Sequence, residues 1–163
     1  REKILRSLQL PFDESGDEHF WPNKQGPDAE HLGLSPFKAP TDLSKPSWVF
    51  RTPAHVIDDW FGNSPVFDAQ RNVYISGNVS DIFVVRPDGT LRGSVYLGPS
   101  PSTPALDGTS LYASDSLGYA YCVDLETLEV KWKVRYCSWT NLDNYAALVH
   151  EGIVYLPGFS FPP

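Results

Sequence analysis

The stretch SPVFDAQRNVYISG, Ser64 to Gly77, returns about 39 residues later as TPALDGTSLYASD (Thr103 to Asp115) and again as AALVHEGIVYLPG (Ala146 to Gly158). Each copy holds small residues, an apolar pair, a turn and an apolar-Tyr-apolar run. Recurrence at a fixed spacing constrains a fold strongly, because each copy forms the same local unit and buries its apolar face on a neighbour. From Trp48 onward the runs SWVF, SPVFD, NVYISG, DIFVVR, TLRGSVYL, SLYASD, YAYCVD, EVKWKV, AALVHE and IVYLPG follow in order. Turn signals divide them at Arg86-Pro87-Asp88-Gly89, Leu106-Asp107-Gly108 and His150-Glu151-Gly152. Short strands so spaced predict an antiparallel all-β array.

A period near 40 residues is that of the four-stranded blades of a β-propeller. The composition agrees. Fifteen prolines and twelve glycines exceed what a helical domain carries, and five Trp, eight Tyr and nine Phe supply side chains that sheets bury. From Trp48 to Pro163 there are about 116 residues, just under three such periods, whereas propellers close with four to eight blades. The expectation is therefore a partial β-propeller of two to three blades over residues 48–163, the N-terminal or ordered part of a larger one. An open array of that kind leaves strand edges unpaired.

Residues 1–47 read differently. REKILRSLQL can form about two helical turns over residues 3–10, until Pro11 stops them. The acidic FDESGDEHF and a Pro- and Gly-dense coil follow, so an irregular N-terminal extension is expected, pinned by Phe20 and Trp21.

Within GYAYCVDLETLEVKWKV, alternation places Tyr119, Tyr121 and Val123 on one strand face and Ala120, Cys122 and Asp124 on the other. Small residues at 120 and 122 leave room for Trp132 from the next strand, which reads as a wedge between blades. Asp124 and Thr127 are placed to bond backbone amides across the turn. Cys122 reads as a small core residue and Cys137 as lying in the exit beyond the following strand, so the two thiols are expected to stay unbonded.

The series Thr103, Pro104, Leu111, Tyr112, Gly118, Tyr121, Cys122, Val123, Asp124, Thr127 and Trp132 resembles the β-propeller repeat of the pyrroloquinoline-quinone enzymes and their cofactor-free relatives. Cys122 stands where that family commonly has alanine, and Leu128 where it has glycine. An earlier copy is degenerate, with Arg86 at the Asp position and Gly93 near the Trp position. Trp21-Pro22, His31-Leu32-Gly33 and Trp48 look like the family's lead-in to its first blade. The resemblance implies either a quinone-dependent alcohol or sugar dehydrogenase or a non-catalytic scaffold, and it favours an extracytoplasmic or organelle-lumen location.

No residue of this chain matches a catalytic, cofactor-binding or metal position of the family, so no cofactor is expected. The four histidines (His19, His31, His55, His150) lack ligand spacing, and Asp58-Asp59 reads as a solvated loop. The acids Asp58, Asp59, Asp107, Asp115 and Asp143 lie in turns or between copies without a shared register. No Gly-x-Ser-x-Gly elbow is present. A net charge of −7 disfavours nucleic acid, whose phosphates need clustered Lys and Arg. No apolar run approaches a membrane span. The expected partner is a protein, or the remaining blades of the same propeller. Phe20, Trp21, Phe37 and Phe159 to Phe161 are candidate contact points. A third reading, a ligand-binding ectodomain, would stack sugars on Trp60, Trp139 and Tyr145.

Overall fold

The computed structural model describes residues 44, 46–53, 63–77, 80–140 and 146–158. The expected helix over residues 3–10, the Asp58-Asp59 pair, Asp143, Trp60, Tyr145, the N-terminal aromatics, Phe159 to Phe161 and His19, His31 and His55 lie outside them.

The described residues are all-β, with ten strands and no helix. The first sheet contains β1 (Val66–Phe67), β2 (Val73–Ile75), β3 (Asp81–Val85) and β4 (Leu91–Tyr96). The second contains β5 (Ala105–Asp107), β6 (Ser110–Ser114), β7 (Tyr119–Asp124) and β8 (Val130–Arg135). Both run in simple sequence order, every neighbour antiparallel. A third, two-stranded sheet pairs β9 (Leu148–His150) with β10 (Ile153–Tyr155). The sheets do not close on one another.

The sequence repeat is a repeat of register. Val66 pairs with Tyr74, Ala105 with Tyr112 and Leu148 with Tyr155, so each copy sets the first residue of its apolar pair opposite its tyrosine. The second half of the unit repeats as well. Val84 faces Gly93 and Cys122 faces Trp132, each beside a bulge, between Val84 and Val85 in one sheet and between Cys122 and Val123 in the other. Gly93 thus occupies the Trp132 position of the first sheet. The run SWVF is a correction to the strand reading. Residues 48–50 form no strand; Trp48 instead lies against Gly89, where an added Cβ would come within 2.8 Å of its side chain. Phe50 stacks at 5.9 Å on Phe83. Trp48 and Phe50 therefore contact the first sheet by side-chain packing, with no ladder to β1.

The core lies between the first two sheets. Val66, Tyr74, Ile82, Val84, Val95 and Leu97 meet Leu106, Leu111, Ala113, Tyr121 and Val123, with Tyr119, Leu125 and Leu128 at the margin. Each fully buried aliphatic side chain there contributes roughly 1.5–3 kcal/mol. Tyr121 and Val123 thus share the face assigned to them by alternation.

Gly93 and Leu128 form a reciprocal pair in this packing. Leu128 holds φ at +60°, a conformation that costs a branched side chain about 1–2 kcal/mol. Its Cδ1 fills the space above Gly93, where a Cβ would lie 2.8 Å away. Leu128→Gly is expected to relieve the backbone yet destabilise by about 1 kcal/mol, because a half-buried leucine is lost. Gly93→Ala should cost on the order of 1 kcal/mol alone, because the end of the Leu128 side chain must turn aside, and be tolerated in the Leu128→Gly background. A double-mutant cycle coupling of about 1 kcal/mol or more would register this; strict additivity would refute it.

Candidate functional site

The repeat-motif residues have structural partners. Asp124 Oδ1 accepts from the backbone N–H of Glu126 (2.9 Å) and of Thr127 (3.0 Å), and from Thr127 Oγ1 at 3.4 Å. Thr127 Oγ1 in turn accepts from the Glu129 N–H. Lys131 Nζ sits 2.9 Å from Asp124 Oδ2, and this bond, followed by those turn amides, holds the Asp124 carboxyl well below the usual range. The turn expected from sequence is the turn observed.

Thr103 joins the three units. It is fully buried, its Oγ1 accepts from the Ser64 N–H at 3.3 Å, and its carbonyl accepts from the Ala147 N–H at 3.1 Å. A parallel bridge links Thr103 to Ala146. Ser64, Thr103 and Ala146 open the three sequence copies, so one repeat position fastens consecutive sheets to each other. Pro104 is buried beside it.

Asp115 lies at the β6–β7 turn, where the sequence reading put it, but it is 1% exposed, a burial the sequence reading did not foresee. Its Oδ1 accepts from the N–H groups of Leu117 (3.0 Å) and Tyr119 (2.9 Å), and its Oδ2 accepts from Tyr121 Oη at 2.7 Å. Asp68 repeats the device in the first sheet, accepting from the Asn72 N–H at 2.7 Å and Tyr74 Oη at 3.0 Å. Both turns place a positive φ three residues after the aspartate, at Arg71 and Gly118. The shared signal was Asp followed six residues later by Tyr, which spans two different hairpins of the unit and so escapes alignment of the copies. Asp107 is exposed.

These phenols make a pH prediction. Burial first, then the hydrogen bond and charge of the partner aspartate, raise Tyr121 far above the ordinary phenol range; for Tyr74 the order is burial, Asp68 charge, hydrogen bond. A folded pKa raised above the unfolded value gives stability that is intact below about pH 10 and lost as pH rises beyond it. Unfolding should therefore steepen above that pH, and Tyr121→Phe should flatten the pH dependence in a fluorescence titration. An unchanged slope would contradict the assignment.

A cleft of about 680 Å³ opens between the first two sheets, lined by Asp68, Gln70, Asn72, Arg92, Thr109 and Glu126 among others. Arg92 there donates to the carbonyl oxygens of Leu125 (2.7 Å) and Glu126 (2.9 Å), tying β4 to the β7–β8 turn. Asp68 and Arg92 are both engaged in the fold, and the accessible lining of the cleft, to which Ala69 and Leu125 contribute, is mostly apolar. Among the described residues, no three His, Cys, Asp or Glu side chains converge as a metal site, and His150 is exposed. Both cysteines are free thiols, Cys122 buried and Cys137 half-buried.

Among the described residues several large apolar side chains are exposed. Trp132 faces Cys122 as expected and lies 6.1 Å from the Tyr112 ring. It is nevertheless 41% exposed and both of these contacts lie within its own sheet, so the expected wedge between blades is not seen among the described residues. Val130 and Val134, two residues to either side, are also exposed, as are Ile153 and Tyr155 of β10. Trp139, a candidate sugar platform, is exposed beyond the end of β8. Among the described residues no helix is long and apolar enough to cross a membrane.

No protein-family model matches the chain, and no curated protein is similar enough to it to count as a relative.

Proposed function

We propose that the chain is part of a non-catalytic, quinoprotein-like β-propeller that serves as a scaffold or protein-binding subunit of a larger assembly. The observation that carries this reading is the threefold register, fastened at Thr103 and flanked by exposed apolar side chains. Propellers are built from such consecutive four-stranded sheets, and contiguous exposed apolar groups mark interaction surfaces.

The dehydrogenase reading fits the side chains poorly. A planar quinone with a metal beside it needs several oxygen ligands converging on one point. Asp68, Asp115 and Asp124 instead direct their oxygens to their own turns and strands. The test is a titration with pyrroloquinoline quinone and calcium, followed by absorbance and dye-linked alcohol oxidation. Neither stoichiometric binding nor turnover is expected from these 163 residues. Binding with turnover would make the enzyme reading right.

A further inference from the structure

Lys133 and Arg135 converge on one aromatic ring. Both belong to β8, with one residue between them, so their side chains leave the same face of the strand. Lys133 pairs with Tyr121 and Arg135 with Tyr119 across the β7–β8 ladder. Lys133 Nζ stands 4.2 Å from the centre of the Tyr119 ring and 5.0 Å from that of Tyr121. Arg135 Cζ stands 5.8 Å from the centre of the Tyr119 ring. Tyr121 shares its core cluster with the first sheet, so this is the face that the second sheet turns toward the first. Both of those sheets have their four strands.

Among the described residues neither cation has a counter-ion. The ion pair there joins Lys131 to Asp124. Arg135 reaches only the neutral carbonyl oxygens of Cys137 and Ser138, at 3.4 and 3.5 Å. The ring faces offset part of the charge without neutralising it. Charge along an outer strand keeps other strands from adding to it. That role, however, gives no reason for two cations to gather on one ring without an acid, in a chain whose net charge is −7. Both side chains are exposed and open to a ligand from solvent.

We infer that Lys133, Arg135 and the ring of Tyr119 form a binding site for a phosphate monoester. Two cations call for a dianion, and at about pH 7 a phosphate monoester carries roughly −1.5 to −2. A carboxylate or a sulfate ester carries a single charge and leaves one cation unmatched. The guanidinium fork presents parallel N–H donors to two phosphate oxygens, and the ammonium meets another oxygen as a point charge. Tyr119 supports both cations on one side of the strand. The site stands apart from the scaffold reading.

The probes are methyl phosphate and methyl sulfate, alike in shape and different in charge. Each is titrated into the full chain and followed by nuclear magnetic resonance of the backbone amides. Methyl phosphate is expected to saturate and to shift the amides of Tyr119, Lys133 and Arg135. Methyl sulfate should bind about tenfold more weakly or worse, for want of the second charge. Lys133→Gln and Arg135→Gln, both at exposed positions, should each weaken methyl phosphate by about tenfold or more, the loss of a charged hydrogen bond. Neither should change the circular dichroism. Lys131→Gln removes the same charge from the same strand, but from a lysine already paired with Asp124, and should leave the affinity nearly unchanged. Equal losses in the three variants would reduce the effect to net charge and overturn the site. Equal affinity for the two esters, or no saturation by methyl phosphate, would overturn it too. A tripeptide with a central phosphoserine separates the sources. Affinity at or above that of methyl phosphate supports a group carried on a polypeptide, and lower affinity supports one carried on a small molecule.

Discussion

Asp115→Ala is expected to lower the local stability of the β6–β7 hairpin by about 2–4 kcal/mol, the cost of stranding one buried and two part-buried donors at once. The substitution leaves the N–H groups of Leu117 and Tyr119 and the hydroxyl of Tyr121 without an acceptor. Water has little room to replace it. Gly98 is packed so closely that a Cβ there would lie 2.4 Å from Asp115 Oδ2 and 2.9 Å from Tyr121 Oη. Amide exchange at Leu117 and Tyr119 should quicken by about two to three orders of magnitude, since each tenfold corresponds to about 1.4 kcal/mol. Asp115→Asn keeps an oxygen for the two amides and should cost clearly less. Asp68→Ala should also cost less, because it strands one backbone N–H, that of Asn72, where Asp115→Ala strands two. Equal effects of the three substitutions would show that shape and burial do not set the cost.

How far the sequence carries depends on whether a feature is local. The register of the three copies was legible because small, apolar and tyrosine positions recur on strands whose side chains alternate by rule. The Asp124–Thr127 turn was legible because donor and acceptor lie within a few residues of each other. Asp115 was not, since its burial comes from Gly98 in the preceding linker and from a phenol on the next strand. SWVF has the composition of a strand, but Trp48 and Phe50 find side-chain contacts and no ladder. Propensity describes a fit to a half-buried pleated surface and does not say which backbone supplies the ladder. Trp132 could be placed opposite Cys122 from spacing alone. Its exposure depends on what packs against that face of β8, which no pattern inside β7 and β8 encodes.

Gly118→Ala should be nearly as damaging as the loss of Asp115, by about 2–5 kcal/mol from left-handed backbone and steric conflict together. Gly118 holds φ at +81°, and its own N–H donates to the Asp115 carbonyl at 3.1 Å. Its carbonyl accepts from the Tyr136 N–H at 3.0 Å, which fixes the chain where it leaves β8. An added Cβ would lie 2.4 Å from the Cys137 carbonyl oxygen and 2.9 Å from its Sγ. A backbone oxygen cannot turn aside as the end of a side chain can, so relief requires moving the whole exit from β8. Gly108 supplies the control. It also has positive φ, +55°, but nothing lies within 4 Å of its would-be Cβ. Gly108→Ala therefore bears the backbone cost alone, about 1–2 kcal/mol. Amide exchange at Tyr119 and Tyr136 should quicken far more in Gly118→Ala than exchange at Ser110 does in Gly108→Ala. If the two substitutions prove equal, the motif glycine serves the turn only; if they differ as expected, it also admits the Cys137 backbone against the β6–β7 turn.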